Sequence, residues 1–133
     1  MSLISGLVTG GQRDNARITV ASRTFTNLGV ADTEVQAGDR QVIDLTHYTQ
    51  ASIVAFVQVA GNTGVACLQY SLDNSVWVDL TGTVSLGSTG AKKSTPTTIP
   101  AAARTVVIVR LVGRSGDTTE DPVVTSGVTL ELS

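Results

Sequence analysis

The sequence predicts a single all-β domain, an antiparallel β-sandwich of jelly-roll-like form with an extended N-terminal arm, and three observations carry that prediction. Thr, Val, Ser and Gly dominate while Lys and Glu are scarce; β-branched side chains suit a pleated, half-buried surface better than a helix, and 13 glycines favour tight turns over long helices. Short apolar or alternating stretches recur between Gly, Asn and Asp turn signals, at the spacing of a sandwich or jelly roll. No helical periodicity extends beyond two turns, and there is no heptad pattern or internal repeat. A chain of 133 residues fits one domain with its own core.

Taken in order, residues 1–16 read as an arm, with apolar pieces broken by Gly6, Gly10 and Gly11. The sandwich domain is assigned to residues 17–133. Its first strand runs from Arg17 to Arg23, with Ile18 and Val20 on one face. Gly38-Asp39 is a turn signal, followed by a short strand from Gln41 to Leu45. In the strongest core segment, residues 51–59, one parity (Ala51, Ile53, Ala55, Val57, Val59) is wholly apolar and the other mostly so, which predicts a central strand covered on both faces. A turn at 61–64 leads back through Val65 to Ser71, and Asp73-Asn74-Ser75 turns a hairpin into residues 76–80. Residues 82–98 form a long polar stretch of the kind that is often functional. One short helical turn is expected near Ala101-Ala102-Ala103. Thr105 to Val112 is a second central strand, 116–126 an acidic loop, and Val128 to Leu132 a closing strand with one solvated face.

Composition narrows the function. The formal net charge of -2 gives no bulk attraction to nucleic acid or anionic membrane. The early basic residues Arg13, Arg17, Arg23 and Arg40 are interleaved with Asp14, Asp32, Glu34 and Asp39, a mixed solvated surface rather than a nucleic-acid-binding arm. Cys67 is the single cysteine, inside an apolar run where a thiol is structural. No apolar run is long enough for a membrane span, and the N-terminus lacks the basic and apolar regions of a signal peptide, so synthesis in the cytoplasm of the producing cell is expected. The only histidine, His47, lies three residues after Asp44 with no nucleophile motif beside it, so no catalytic residue is assigned. Asp44, Asp73 and Asp79 supply carboxylates, but mostly at turns, where Asp is a good turn former. Asp117, Glu120 and Asp121 offer oxygen ligands of the kind calcium takes, but their spacing matches no EF-hand loop and a solvated acidic loop is the expectation; no zinc site is expected from one Cys and one His. No cofactor or metal is assigned.

The most distinctive segment is Tyr70-Ser71-Leu72-Asp73-Asn74-Ser75-Val76-Trp77. It resembles an Asp-box, although Ser75 stands where the box has Gly and Trp77 arrives one residue early. Asp73 is suited to accept hydrogen bonds from turn amides while Trp77 covers the hairpin. Tyr70, Asp73 and Trp77 are therefore either hairpin structure or a ligand platform. Together with the glycine-broken arm and the late strand and loop from Arg104 to Gly116, the pattern resembles the small structural proteins of phage and virus particles. That resemblance implies a non-enzymatic capsid decoration (cement) protein or another capsid-associated component. It further implies a homo-oligomer, expected as a trimer, located in the virion and bound to other virion proteins such as a major capsid protein. The arm residues Leu3, Ile4, Leu7 and Val8 would serve in assembly. The alternative is a carbohydrate-binding or adhesin-type sandwich with Trp77 as its platform.

Overall fold

A computed structural model describes residues 15–20, 24–25, 35–59, 64–114 and 123–133. Among these residues eleven strands form two antiparallel sheets that pack face to face. The first sheet has the order β1 (Ala16–Thr19), β11 (Val123–Leu132), β4 (Gln50–Val59), β8 (Gly90–Lys93), with β2 (Thr24–Phe25) paired to β11 and β9 (Thr97–Thr98) paired to β4. The second has the order β3 (Val35–Asp44), β10 (Val106–Arg114), β5 (Val65–Ser71), β6 (Val78–Asp79), with β7 (Val84–Ser85) paired to β5. The predicted sandwich is this architecture. One 3₁₀ turn at Ala101–Ala103 stands where a helical turn was expected.

β4 and β10 are the central strands, as their apolar content predicts, and each lies between neighbours on both sides. Ala51, Ile53, Ala55 and Val57 of β4 face Val107, Val109 and Leu111 of β10 in one core with Leu68, Val128, Leu130 and Leu132. Fully burying an aliphatic side chain of this size stabilises by about 1.5–3 kcal/mol, and the strict alternation along each strand makes the burial possible.

The other face of β4 corrects the expectation of two-sided cover. Ser52 is buried and Val54 half-buried, but Phe56 is 47% exposed and Gln58 is exposed. The second correction concerns residues 65–71, which do not pair with β4 as a hairpin partner; the chain changes sheets and β5 pairs with β10. The third concerns Gly38-Asp39, which lies inside the ten-residue strand β3 instead of ending a turn. Gln41 lies opposite Val109 and Ala37 opposite Leu111, so Gly38, Asp39 and Arg40 together face Arg110. This is an enlarged β-bulge, and Gly38 takes the φ of +78° that it needs. The same Gly-Asp chemistry that signals a turn here re-aims Arg40.

At the N-terminal side β1 begins at Ala16, opposite Leu132. The arm residues Leu3, Ile4, Leu7 and Val8 lie outside the described residues, as do the loop acids Asp117, Glu120 and Asp121. Among the described residues no helix is long and apolar enough to cross a membrane.

Candidate functional site

The outer face of the second sheet carries the densest polar construction on the described molecule. Alternation puts Cys67, Gln69 and Ser71 of β5 on this face, because Ala66, Leu68 and Tyr70 belong to the core. The register places Arg110 opposite Gln69 and Val112 opposite Cys67. Across the hairpin, Asp79 lies opposite Gln69, and Trp77, two residues earlier, shares the side of Asp79.

Gln69 is the centre of a chain of oriented bonds. Its Oε1 accepts from Arg110 Nε at 3.0 Å and Nη2 at 2.8 Å. Its Nε2 donates to Asp79 Oδ1 at 2.9 Å. The amide can point only one way, since a flip would set NH₂ against guanidinium and oxygen against carboxylate. Asp79 in turn accepts from Arg114 Nη2 at 2.8 and 2.9 Å on its two oxygens. Arg114 Nη2 also lies 3.0 Å from Cys67 Sγ, and the thiol donates to Asp79 Oδ1 at 3.6 Å. Burial pushes the Asp79 carboxyl up, but the Arg114 and Gln69 hydrogen bonds outweigh it and hold the group below its ordinary value. Burial, then the neighbouring Asp79 charge, push the Cys67 thiol up to about 12. It is therefore no thiolate nucleophile near neutral pH.

Above this chain lies Trp77, the only tryptophan. The Arg110 guanidinium carbon is 4.2 Å and that of Arg40 4.8 Å from its ring centroid, both within cation–π range. Arg40 reaches the ring from the β3 bulge and is fixed there by Nη1 donating to Asn74 Oδ1 at 2.7 Å and Nε donating to Gln36 Oε1 at 3.0 Å. Asn74 holds its amide up from the hairpin tip with φ +63°, a conformation that Asn tolerates. Beside the indole the face is aliphatic. Val42 is 72% exposed and Val106 56% exposed; half-buried Ile108 lies opposite Val42 and two residues from Val106.

The hairpin residues singled out from the sequence separate. Tyr70 is buried in the core. Asp73 accepts from the Ser75 and Val76 amides, both at 2.9 Å, and from the Ser71 hydroxyl, which hold its carboxyl below the ordinary value. Trp77 alone joins the outer face. Asp44 accepts from the Thr46 amide at 2.9 Å and from the Thr46 hydroxyl, bonds that lower its pKa; among the described residues no hydrogen bond joins it to His47. All three carboxyls are thus held as anions, opposite to what a general acid requires. No group of three or more His, Cys, Asp or Glu side chains gathers among the described residues.

Sequence reasoning misses Arg40, Gln69, Asp79, Arg110 and Arg114. The signal was the polar parity within apolar strands, Gln69 in β5 and Arg110 and Arg114 in β10; what joins them is register between strands, which one sequence does not display. No protein-family model, curated protein or solved structure matches this chain.

Proposed function

We propose that this chain is a non-enzymatic structural protein that assembles on a protein lattice, of the capsid decoration or capsid-associated kind. The observation that carries the reading is the outer face of the second sheet, where exposed Val42 and Val106 share the face with a Trp77 ring stacked against Arg40 and Arg110. Interface centres are enriched in Trp and Arg set among apolar contacts. The low charge content, 15% of residues, suits a surface that ends up covered in symmetric contacts. The virion setting rests on the sequence resemblance, as do self-association, expected as a trimer, and a major capsid protein as the larger partner. The carbohydrate-binding alternative needs an indole face open to a sugar ring, and two guanidinium groups lie over this ring.

Sedimentation of the purified protein with bare capsid shells, at low and high salt, tests the proposal. Binding is expected to persist at high salt, because apolar contact is not screened. Val42→Asp together with Val106→Asp should weaken it by about tenfold or more while leaving the circular dichroism unchanged. A strictly monomeric protein without affinity for shells, retained on a glycan array and released by Trp77→Ala, would overturn the proposal in favour of carbohydrate binding.

A further inference from the structure

Three arginines stand on the outer face of the second sheet, and their charges are treated differently. Arg114 is ion-paired with Asp79. Arg110 is chelated by the Gln69 oxygen. Arg40 is exposed, and its acceptors are the neutral amide oxygens of Gln36 and Asn74. Among the described residues it forms no ion pair, although Asp39 is its chain neighbour. Two described acids near this face are engaged elsewhere, Asp73 by its own turn and Asp44 by Thr46. Among the described residues the Arg40 charge is therefore held in place by neutral groups and by the indole, without a carboxylate.

Next to that charge lies aliphatic surface in strand register. Val42 is two residues beyond Arg40 on β3, and Ile108 and Val106 continue the patch on β10. The Arg40 guanidinium is fixed at Trp77 and Asn74, so the face offers one held cation together with exposed aliphatic side chains, which match a segment carrying a carboxylate and aliphatic residues. A phosphate backbone fits less well, since the described side chains beside Arg40 on this patch, Val42, Ile108 and Val106, are apolar.

We infer that this face docks a segment of a partner protein, with an Asp or Glu carboxylate on Arg40 and aliphatic side chains on Val42 and Ile108. The inference rests on the assembly reading and names the chemistry of the partner.

The single tryptophan makes the test direct, since Trp77 fluorescence reports only on this face. The full-length protein is titrated with a blocked hexapeptide, Thr-Glu-Thr-Leu-Thr-Leu, with versions carrying Gln or Lys in place of Glu, and with sodium acetate and inorganic phosphate. The Glu peptide should give a saturable change, the Gln peptide a midpoint higher by about tenfold or more, since it loses the charge-assisted hydrogen bond, and the Lys peptide none. Arg40→Gln should erase the difference between the Glu and Gln peptides, and Arg40→Lys should retain part of it. Equal midpoints for Glu and Gln overturn the inference, as does a difference that survives Arg40→Gln. Acetate or phosphate matching the Glu peptide overturns it in favour of a generic anion site. Shell sedimentation separates the two claims. Wild-type binding that is unchanged in Arg40→Gln, with no peptide discrimination, sinks this inference and leaves the assembly reading standing; absent shell binding with intact peptide discrimination does the reverse.

Discussion

On the outer face of the first sheet, Glu131 bridges Arg17 Nε and Lys93 Nζ, each at 3.0 Å, and Phe56 stands in the middle of β4 nearly half exposed. On the outer face of the second sheet, Gln69 is 3% exposed and Cys67 1%, although both point away from the core between the sheets. They lie beneath Arg110 and Arg114, with Trp77 above, and the amide of Gln69 and the carboxylate of Asp79 meet partners of the correct sense. The first face is a sheet surface dressed with solvated charges; the second is a sheet surface with another layer built on it. An outward-facing polar residue is buried at low cost when its polar atoms find partners, and the Gln69 amide finds them for both its oxygen and its nitrogen in one orientation.

The largest effect separates inner from outer on a single strand. Ile53 is fully buried and Val107 is 1% exposed. Ile53→Asp or Val107→Asp sets an unpaired carboxylate in the core, a cost of several kcal/mol against a total stability of about 5–15 kcal/mol for a domain. Neither variant should yield soluble folded protein by circular dichroism and size exclusion. Phe56→Asp, on the opposite parity of β4, should remain folded. If Phe56→Asp also fails to fold, the outer face of the first sheet is covered after all and the contrast between the faces disappears.

A smaller effect tests the built layer. Gln69→Leu keeps the volume but removes the acceptor of Arg110 and a donor to Asp79, and should cost about 1–3 kcal/mol in chemical denaturation. It should also change the acid limb. The folded pKa of Asp79 is depressed below 3.8, so the stabilisation it brings is fully present above that value and is lost as pH falls through the folded pKa. Asp44 and Asp73 are depressed too and titrate in the same window. The difference between wild type and Gln69→Leu isolates the Asp79 part: the variant should lose less stability between neutral pH and the acid limb. Equal acid losses would mean that Gln69 does not hold the Asp79 charge.

How much of this was readable from the sequence follows from the range of each interaction. The alternation in 51–59 and in 128–132 is local, and it located the core faces. Asp73 in its turn is also local, since its partners are two and three residues away. The Arg40–Trp77–Arg110 cluster is not local. It needs the hairpin that brings Trp77 back over β10, and it needs the bulge that the dipeptide Gly38-Asp39 makes inside a strand. The dipeptide marks a reversal of local backbone geometry, but whether that geometry ends a strand or kinks it depends on the pairing with β10. Cover on the outer face of β4 was misread for a related reason: Val54 and Phe56 are apolar, but burial on both sides requires a layer of structure, and the polar parity that builds such a layer lies on β5 and β10.

The smallest effect belongs to the first face and tests whether its charges form a layer of their own. Arg17 and Lys93 side chains are 78% and 57% exposed, while Glu131 is 19% exposed. Exposed ion pairs contribute about 0–1 kcal/mol, and here either cation can serve the same carboxylate. Arg17→Ala and Lys93→Ala should therefore each cost only a few tenths of a kcal/mol. The double variant should cost more than the sum, because only then does Glu131 lose both partners, and a double-mutant cycle reads that excess. Salt should shrink all three values, as it screens solvent-exposed charges. Denaturation midpoints at low and high ionic strength give the measurement. A single substitution costing about 2 kcal/mol, insensitive to salt, would lie outside the range of an exposed pair. The Arg17–Glu131–Lys93 bridge would then be as tightly built as the Gln69 chain, and the contrast between the two faces would be one of composition and not of construction.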